Sequence, residues 1–67
     1  MSVYKKIEIV GTSKTSFAEA VKAAVAEAGK SIRHMSWFEV VEQRGAIKDG
    51  KVLEFQVTVR IGFKIEG

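Results

Sequence analysis

The 67-residue chain contains no cysteine and no proline, and it has only one histidine and one tryptophan. Without cysteine there are no disulfides or thiolate metal sites, and a single histidine with no co-ligand beside it argues against a zinc site. A chain this short forms one domain, over residues 1–67, and buries only about 60% of its unfolded surface. We therefore expect no metal, and we expect stability to come from a homo-oligomer.

Long apolar runs are also missing, since no stretch approaches the roughly 20 residues that cross a membrane. The first residues lack the apolar segment of a signal peptide, so a cytoplasmic location without a membrane partner is expected. The net charge of +3 is spread along the chain. Such diffuse positive charge suits anionic small molecules and makes a nucleic-acid partner unlikely on these grounds.

The residues that are present form three alternating segments and one helical segment. The first, "VYKKIEIVGTS", has the period of a strand and is expected to end at Gly11. The next, "SFAEAVKAAVAEAG", has apolar residues at helical spacing, with a capping-box pattern at Ser16 and a stop at Gly29. Two later alternating runs flank Asp49-Gly50, a pair typical of a β-hairpin turn.

The order β-α-β-β predicts an α+β fold in which a three-stranded antiparallel sheet of order 1-3-2 packs on one helix. A helix of about 14 residues spans about 21 Å, whereas the last strand, with about 15 residues, runs for about 50 Å. One helix cannot cover the apolar face of such a strand. The uncovered part predicts contact with further copies of the chain.

The hairpin also predicts a register. If Asp49-Gly50 is the loop, the numbers of paired residues add up to 99, and Trp37 lies opposite Gly62 on the polar face. The other pairs are Phe38 with Ile61, Glu39 with Arg60, Val40 with Val59, and Gln43 with Gln56. Phe38 and Val40 are therefore predicted in the core. A tryptophan in a strand is more often a packing residue than a ligand contact, and that interpretation requires a second subunit on this face.

The segments "YKKIEIVGTS", "WFEV", "RG" and "FQVTVRIGFKIE", in this order and spacing, resemble the dodecins over essentially the whole chain, and their bacterial branch most closely. The most specific parts are Gly11-Thr12-Ser13, Trp37 to Val40, Gln56-Val57 and Gly62-Phe63. The resemblance implies a homododecamer that stores flavin pairs between tryptophans of neighbouring subunits and quenches them, and it implies no enzymatic activity. FMN is the flavin expected, with riboflavin and FAD as the alternatives.

The resemblance also implies roles for individual residues. Trp37 would stack on the flavin, Gln56 would hydrogen-bond its polar edge, and Arg44 and Lys64 would lie near the flavin and its phosphate. Lys64 stands where arginine is usual and keeps the charge without the bidentate fork. Some bacterial members bind coenzyme A, for which the basic candidates are Lys5, Lys6, Arg33 and His34.

Two other classes of function remain open at this point. The basic composition and the displayed tryptophan are compatible with a nucleic-acid-binding module, although such a sheet surface needs clustered aromatics and only Tyr4 and Trp37 are available. A flavoenzyme using the same site is the other alternative. It would need a convergent acid or base, which the sequence does not indicate.

Overall fold

A computed structural model describes residues 2–65 and contains the predicted elements in the predicted order. They are strand β1 (Tyr4–Ser13), helix α1 (Phe17–Ala28), strand β2 (Met35–Lys48) and strand β3 (Lys51–Lys64). β3 lies between the other two strands and is antiparallel to both, so the sheet order is β1-β3-β2. The α+β fold with one helix and sheet order 1-3-2 is confirmed.

Helix α1 begins and ends where its capping residues predict. The Ser16 hydroxyl accepts a hydrogen bond from the backbone N–H of Glu19 at 3.0 Å, which satisfies one of the free donors of the first turn. The helix ends at Gly29, whose φ of −64° is helical, so this glycine ends the helix without a left-handed conformation. The buried core joins small helix residues to the centre of β3: Ala20, Ala24, Ala28, Val57, Val59 and Ile61.

Gly11 brings the helix close to β1. A Cβ at this position would lie 2.0 Å from the backbone oxygen of Ala20 and 2.8 Å from Cβ of Ala24. The prediction that β1 ends at Gly11 is wrong, because the strand continues to Ser13. The glycine is needed for close approach between backbone and helix, and it does not interrupt the strand.

The Asp49-Gly50 turn is confirmed as the end of the hairpin. Both residues are left-handed, with φ of 54° and 74°, as a tight two-residue hairpin turn requires. Lys48 pairs with Lys51 beside the turn, and Trp37 pairs with Gly62 at the far end, both as predicted.

The middle of the hairpin differs from the predicted register. One extra residue, Ser36, lies in β2 just before Trp37. In the middle of the hairpin an extra residue, Val41, interrupts β2, and an extra residue, Leu53, interrupts β3 closer to the turn. Between these two irregularities Arg44 lies opposite Gln56, so the predicted pair of Gln43 with Gln56 is wrong. A β-bulge of this kind leaves one residue unpaired and shifts the pairing beyond it by one residue.

The sheet has two unlike faces. The helix face carries the buried core residues of β3, and the outer face, on the other side of the sheet, carries the residues that alternate with them. The prediction that Phe38 and Val40 belong to the core is wrong for the single subunit, since they are 50% and 44% exposed. The reason is that α1 packs mainly on β1 and β3, while these two residues lie on β2.

The subunit is elongated and thin, with extents of 51 × 20 × 13 Å. Large apolar side chains are exposed near the hairpin turn, where Ile47 is 76% and Val52 is 60% exposed. Within residues 2–65, no helix has the length and apolar character to cross a membrane.

Candidate functional site

The indole of Trp37 lies across the central strand on the outer face. A Cβ at Gly62 would be 2.2 Å from Cζ2 and 2.3 Å from Cε2 of the indole, so the ring fills the place where a side chain would stand. Gly62 is buried beneath it, and Trp37 itself remains 42% exposed. One side of the indole therefore rests on the sheet while the side chain keeps a large accessible surface.

Tyr4 is the aromatic neighbour of Trp37. Their ring centroids are 5.2 Å apart and the ring planes are tilted by 54°. Tyr4 belongs to β1 and Trp37 to β2, so the contact passes over β3. The hairpin pattern does not predict this contact, because it leaves the register of β1 on β3 undefined. The signal that was present is the parity of Tyr4, which is that of the polar residues of its strand.

Ion pairs occupy the outer face next to the aromatic pair. Lys6 Nζ donates to Glu39 Oε1 at 2.6 Å, and Arg60 Nε donates to Glu8 Oε1 at 2.9 Å. The predicted register of Glu39 opposite Arg60 is confirmed, but the partner of its carboxylate is Lys6. The hydrogen bond and charge of Lys6, together with the charge of Arg60, hold the pKa of Glu39 below its ordinary value.

A second polar group lies farther along the hairpin. Arg44 Nε donates to Gln56 Oε1 at 2.8 Å, and Gln56 Nε2 donates to Glu54 Oε2 at 2.8 Å. Gln56 and Gly62 are six positions apart on β3, which is a distance of roughly 20 Å along a strand. The bulge at Val41 places Arg44 beside Gln56.

The basic residues near the start of β2 lie at one end of the sheet. Lys5, Arg33, His34 and Lys64 border one depression of about 470 Å³. The backbone N–H of Lys64 donates to the carbonyl oxygen of His34 at 3.2 Å. Lys6 belongs to the outer face instead, so the structure brings together three of the four residues predicted for coenzyme A.

The predicted flavin residues therefore fall into two groups within one subunit. Trp37 and Lys64 are near one end of β3, and Arg44 and Gln56 are near its middle. In the part of the chain that the structure describes, no three His, Cys, Asp or Glu residues form a group that could hold a metal ion. The polar side chains at hand suit hydrogen bonding and charge pairing with a flat, anionic organic ligand.

The fold and the arrangement around Trp37 define a small α+β sheet protein that displays an aromatic residue on the face opposite its helix. Its family follows from a comparison with known proteins. The chain belongs to the dodecin family, because the family model described as Dodecin matches residues 3–66. Dodecins are small flavin-binding proteins that form homo-oligomers.

Three relatives illustrate the similarity. The chain is 50% identical over 64 residues to the dodecin of Thermus thermophilus, covering 96% of this chain and 93% of that protein. It is 35% identical over 65 residues to the calcium dodecin of Mycobacterium tuberculosis, covering 97% of this chain and 92% of that protein. The structure of the dodecin from Streptomyces coelicolor superposes with a TM-score of 0.95 at 41% identity, covering 98% of this chain and 94% of that chain.

Proposed function

We propose that this chain stores flavin as a subunit of a homododecamer and stacks pairs of FMN molecules between tryptophans of neighbouring subunits. The observation that carries the proposal is the placement of Trp37 across Gly62, with 42% of the side chain exposed on the outer face. The isoalloxazine of a flavin is flat and aromatic, so it stacks on such a surface. Riboflavin and FAD contain the same ring system and would stack in the same way.

The site requires more than one subunit. Trp37 and Gln56 are separated by roughly 20 Å along the strand, which exceeds the length of the three fused rings of a flavin. A flavin that touches both residues takes them from two copies of the chain. The exposed apolar side chains support this assembly, since Phe38 and Leu53 are each 50% exposed on the single subunit.

The polar residues orient the ligand. The amide of Gln56 has both a donor and an acceptor for the polar edge of the isoalloxazine. Arg44 already contacts this amide, and it fixes its orientation while offering further N–H donors to the ligand phosphate. Lys64 supplies one positive charge near the stacked ring. This charge attracts a phosphate but does not form the bidentate hydrogen bonds that an arginine would form.

The proposed role is sequestration and not turnover. Stacking allows fast electron transfer from the indole to the excited flavin, which quenches its fluorescence and limits its photochemistry. The carboxylates of Glu8 and Glu39, which are the nearest acidic groups on the outer face, are held in ion pairs with Arg60 and Lys6. Carboxylates paired in this way are poor general acids or bases at neutral pH, so we propose a binding protein and no enzymatic reaction.

We also propose that the depression between Lys5, Arg33 and His34 receives a phosphate-bearing ligand such as coenzyme A. The three basic residues border the same space, and Lys64 lies on its rim. Lys6, the fourth basic candidate from the sequence, is paired with Glu39 on the outer face. The cytoplasm remains the proposed location for a store of either cofactor.

The ion pairs of the outer face argue against the nucleic-acid alternative. By strand register this face carries six cations and four carboxylates, and three of the cations, Lys6, Arg44 and Arg60, are paired with Glu39, Glu42 and Glu8. A cation that is already paired with a carboxylate contributes little to the phosphate attraction that dominates nucleic-acid affinity. Binding of an oligonucleotide that weakens steeply with salt would reverse this conclusion.

The decisive experiment is a titration of FMN fluorescence with Trp37→Ala. We expect the wild-type protein to quench FMN and the variant to leave the fluorescence unchanged, while light scattering shows the same assembly. Val10→Ala is a matched control, because Val10 is an exposed residue of the outer face that pairs with Thr58, away from the indole. Equal quenching by Trp37→Ala and wild type would contradict the stacking assignment.

A further inference from the structure

The contact between Tyr4 and Trp37 joins the two edge strands of the sheet. Neighbouring strands are about 4.8 Å apart, so the backbones of β1 and β2 are separated by about 10 Å. Tyr4 pairs with Lys64 and Trp37 pairs with Gly62, two residues apart on β3. The two side chains span this gap and bring their ring centroids to 5.2 Å.

Gly62 makes this contact possible. The indole occupies the position of the missing side chain, and a Cβ there would lie 2.5 Å from Cη2 of the ring. Gly50 has a positive φ, whereas Gly62 does not, and it pairs with Lys6 on one side and with Trp37 on the other, next to the extra residue Ser36 of β2. The space above Gly62, and not its backbone freedom, is therefore what the indole uses.

A charged pair borders the other side of the indole. Lys6 pairs with Gly62 and Glu39 pairs with Arg60, so the bond between Lys6 and Glu39 crosses β3 diagonally, toward Arg60. Tyr4 lies in the opposite direction along β3, toward Lys64. Both side chains of the ion pair are about half exposed, at 47% and 43%, so this pair alone is a weak constraint on a large ring.

We infer that Tyr4 is the positioning residue of the flavin site, which fixes the plane of Trp37 so that its accessible surface is presented in one orientation. The inference rests on the proposed function, since it assigns Tyr4 to the same site. A half-exposed tryptophan without this neighbour would rotate about its side-chain bonds, and a ligand would have to order it on binding. The tilted ring contact removes that disorder before the ligand arrives.

The experiment uses Tyr4→Leu, which removes the ring, and Tyr4→Phe, which keeps it. The chain has one tryptophan and one tyrosine, so once Tyr4 is replaced the circular dichroism at wavelengths beyond the phenylalanine bands and the acrylamide quenching of tryptophan fluorescence report on Trp37 alone. In the flavin-free assembly we expect Tyr4→Leu to weaken the tryptophan circular dichroism and to raise acrylamide quenching. Tyr4→Phe should keep both signals close to those of wild type.

The same variants are then titrated with FMN. Tyr4→Leu should weaken binding roughly three- to tenfold, the range that one aromatic contact contributes, and Tyr4→Phe should bind nearly as wild type does. Val10→Ala, on the same strand and face, is the control for a change that does not touch the indole. A Tyr4→Leu protein with unchanged tryptophan signals, or with unchanged FMN affinity, would overturn the inference.

The two proposals fail in different ways. If the wild-type protein does not bind FMN, the flavin function is overturned, and the flavin-free signals still decide whether Tyr4 holds the indole. If wild type and Tyr4→Leu quench FMN with equal affinity, the flavin function stands and the role of Tyr4 is overturned. A fall in affinity for Tyr4→Phe equal to that of Tyr4→Leu would also overturn it, because the effect would then not come from the ring.

Discussion

The helix face and the outer face of the sheet use side chains differently. On the helix face Val57, Val59 and Ile61 are at most 1% exposed and are covered by the small residues of α1. On the outer face the strands carry ion pairs. The side chain of Trp37 lies on this face as well and is 42% exposed. Burial on the first face stabilises the subunit, whereas the largest side chain of the chain is left accessible on the second.

Two glycines show the same contrast. Gly11 makes room for the helix backbone, and Gly62 makes room for an indole. A backbone atom within a packed helix cannot move aside without disturbing the core, but the end of a side chain can rotate away. A methyl group added at Gly11 should therefore lower the stability of the fold, whereas a methyl group added at Gly62 should weaken ligand binding.

The largest effect is expected for Gly11→Ala. Its Cβ would lie 2.0 Å from the Ala20 oxygen, and the resulting shift of the helix should lower the free energy of unfolding by about 1–3 kcal/mol. Denaturation by urea at fixed protein concentration measures this change. Gly29→Ala is the control, because Gly29 has a helical φ and its nearest contact is the flexible end of Met35 at 3.3 Å. Equal stability of the two variants would contradict the assignment of Gly11.

A smaller and different effect is expected for Gly62→Ala. The added methyl displaces the Trp37 ring, so FMN affinity should fall roughly tenfold, while the free energy of unfolding should change by less than about 1 kcal/mol. Fluorescence titration and urea denaturation of the same preparation separate the two quantities. If this variant loses as much stability as Gly11→Ala and still binds FMN normally, the distinction between the two faces is wrong.

The smallest effect concerns pH and the pair of Lys6 with Glu39. The pKa of Glu39 is lower in the folded state than in the unfolded chain, so its contribution to stability is present at neutral pH and is lost as the pH falls below 4.5 and through the folded pKa. The loss should be slight because both side chains are exposed to solvent. Titration of the Glu39 carboxyl resonance by NMR should show its pKa rise toward the ordinary value in Lys6→Met, because Lys6 is the larger of the two causes and Arg60 remains. An unchanged pKa in that variant would remove Lys6 as the cause.

Much of the fold is encoded in local patterns. The alternation of the strands, the helical spacing after Ser16 and the turn at Asp49-Gly50 each come from short-range chemistry, and all three are found in the structure. The strand order follows because a short helix connects strands that both pair with the third. The extension of β1 beyond Gly11 was not predictable in this way, because it depends on how closely the helix approaches.

The candidate site was predicted less completely than the fold. The pairing of Trp37 with Gly62 was predicted correctly, but for a reason other than the one assumed. The register that pairs Trp37 with Gly62 assumes a regular hairpin, yet one extra residue in β2, Val41, and one in β3, Leu53, cancel each other. The prediction therefore holds beside the turn and at Trp37, and it fails between them, where Arg44 replaces Gln43. It also fails beyond Trp37, where Ser36 is an extra residue and Met35 lies opposite Phe63. Val41 carries no glycine or proline signal, so the bulge is set by the surrounding packing and not by local sequence.

Long-range side-chain contacts were the least predictable part. The contact of Tyr4 with Trp37 requires the register of β1 on β3 and the open space above Gly62 at the same time. The partner of Glu39 likewise changed from Arg60 to Lys6, because a long lysine side chain reaches diagonally across a strand. Both contacts join β1 to β2 across β3. They depend on the positions of all three strands, so the pattern of a single segment does not predict them.

The 13 Å thickness of the subunit has a consequence for how it holds any molecule. A sheet with one helix packed on it has only two layers around one core, so the subunit leaves no interior compartment for a guest between them. Whatever this chain binds lies on its exterior until another molecule closes over it. A bound molecule then stays in place for as long as the molecule that covers it remains attached to this chain. Its release does not depend on the opening of a gate within one chain.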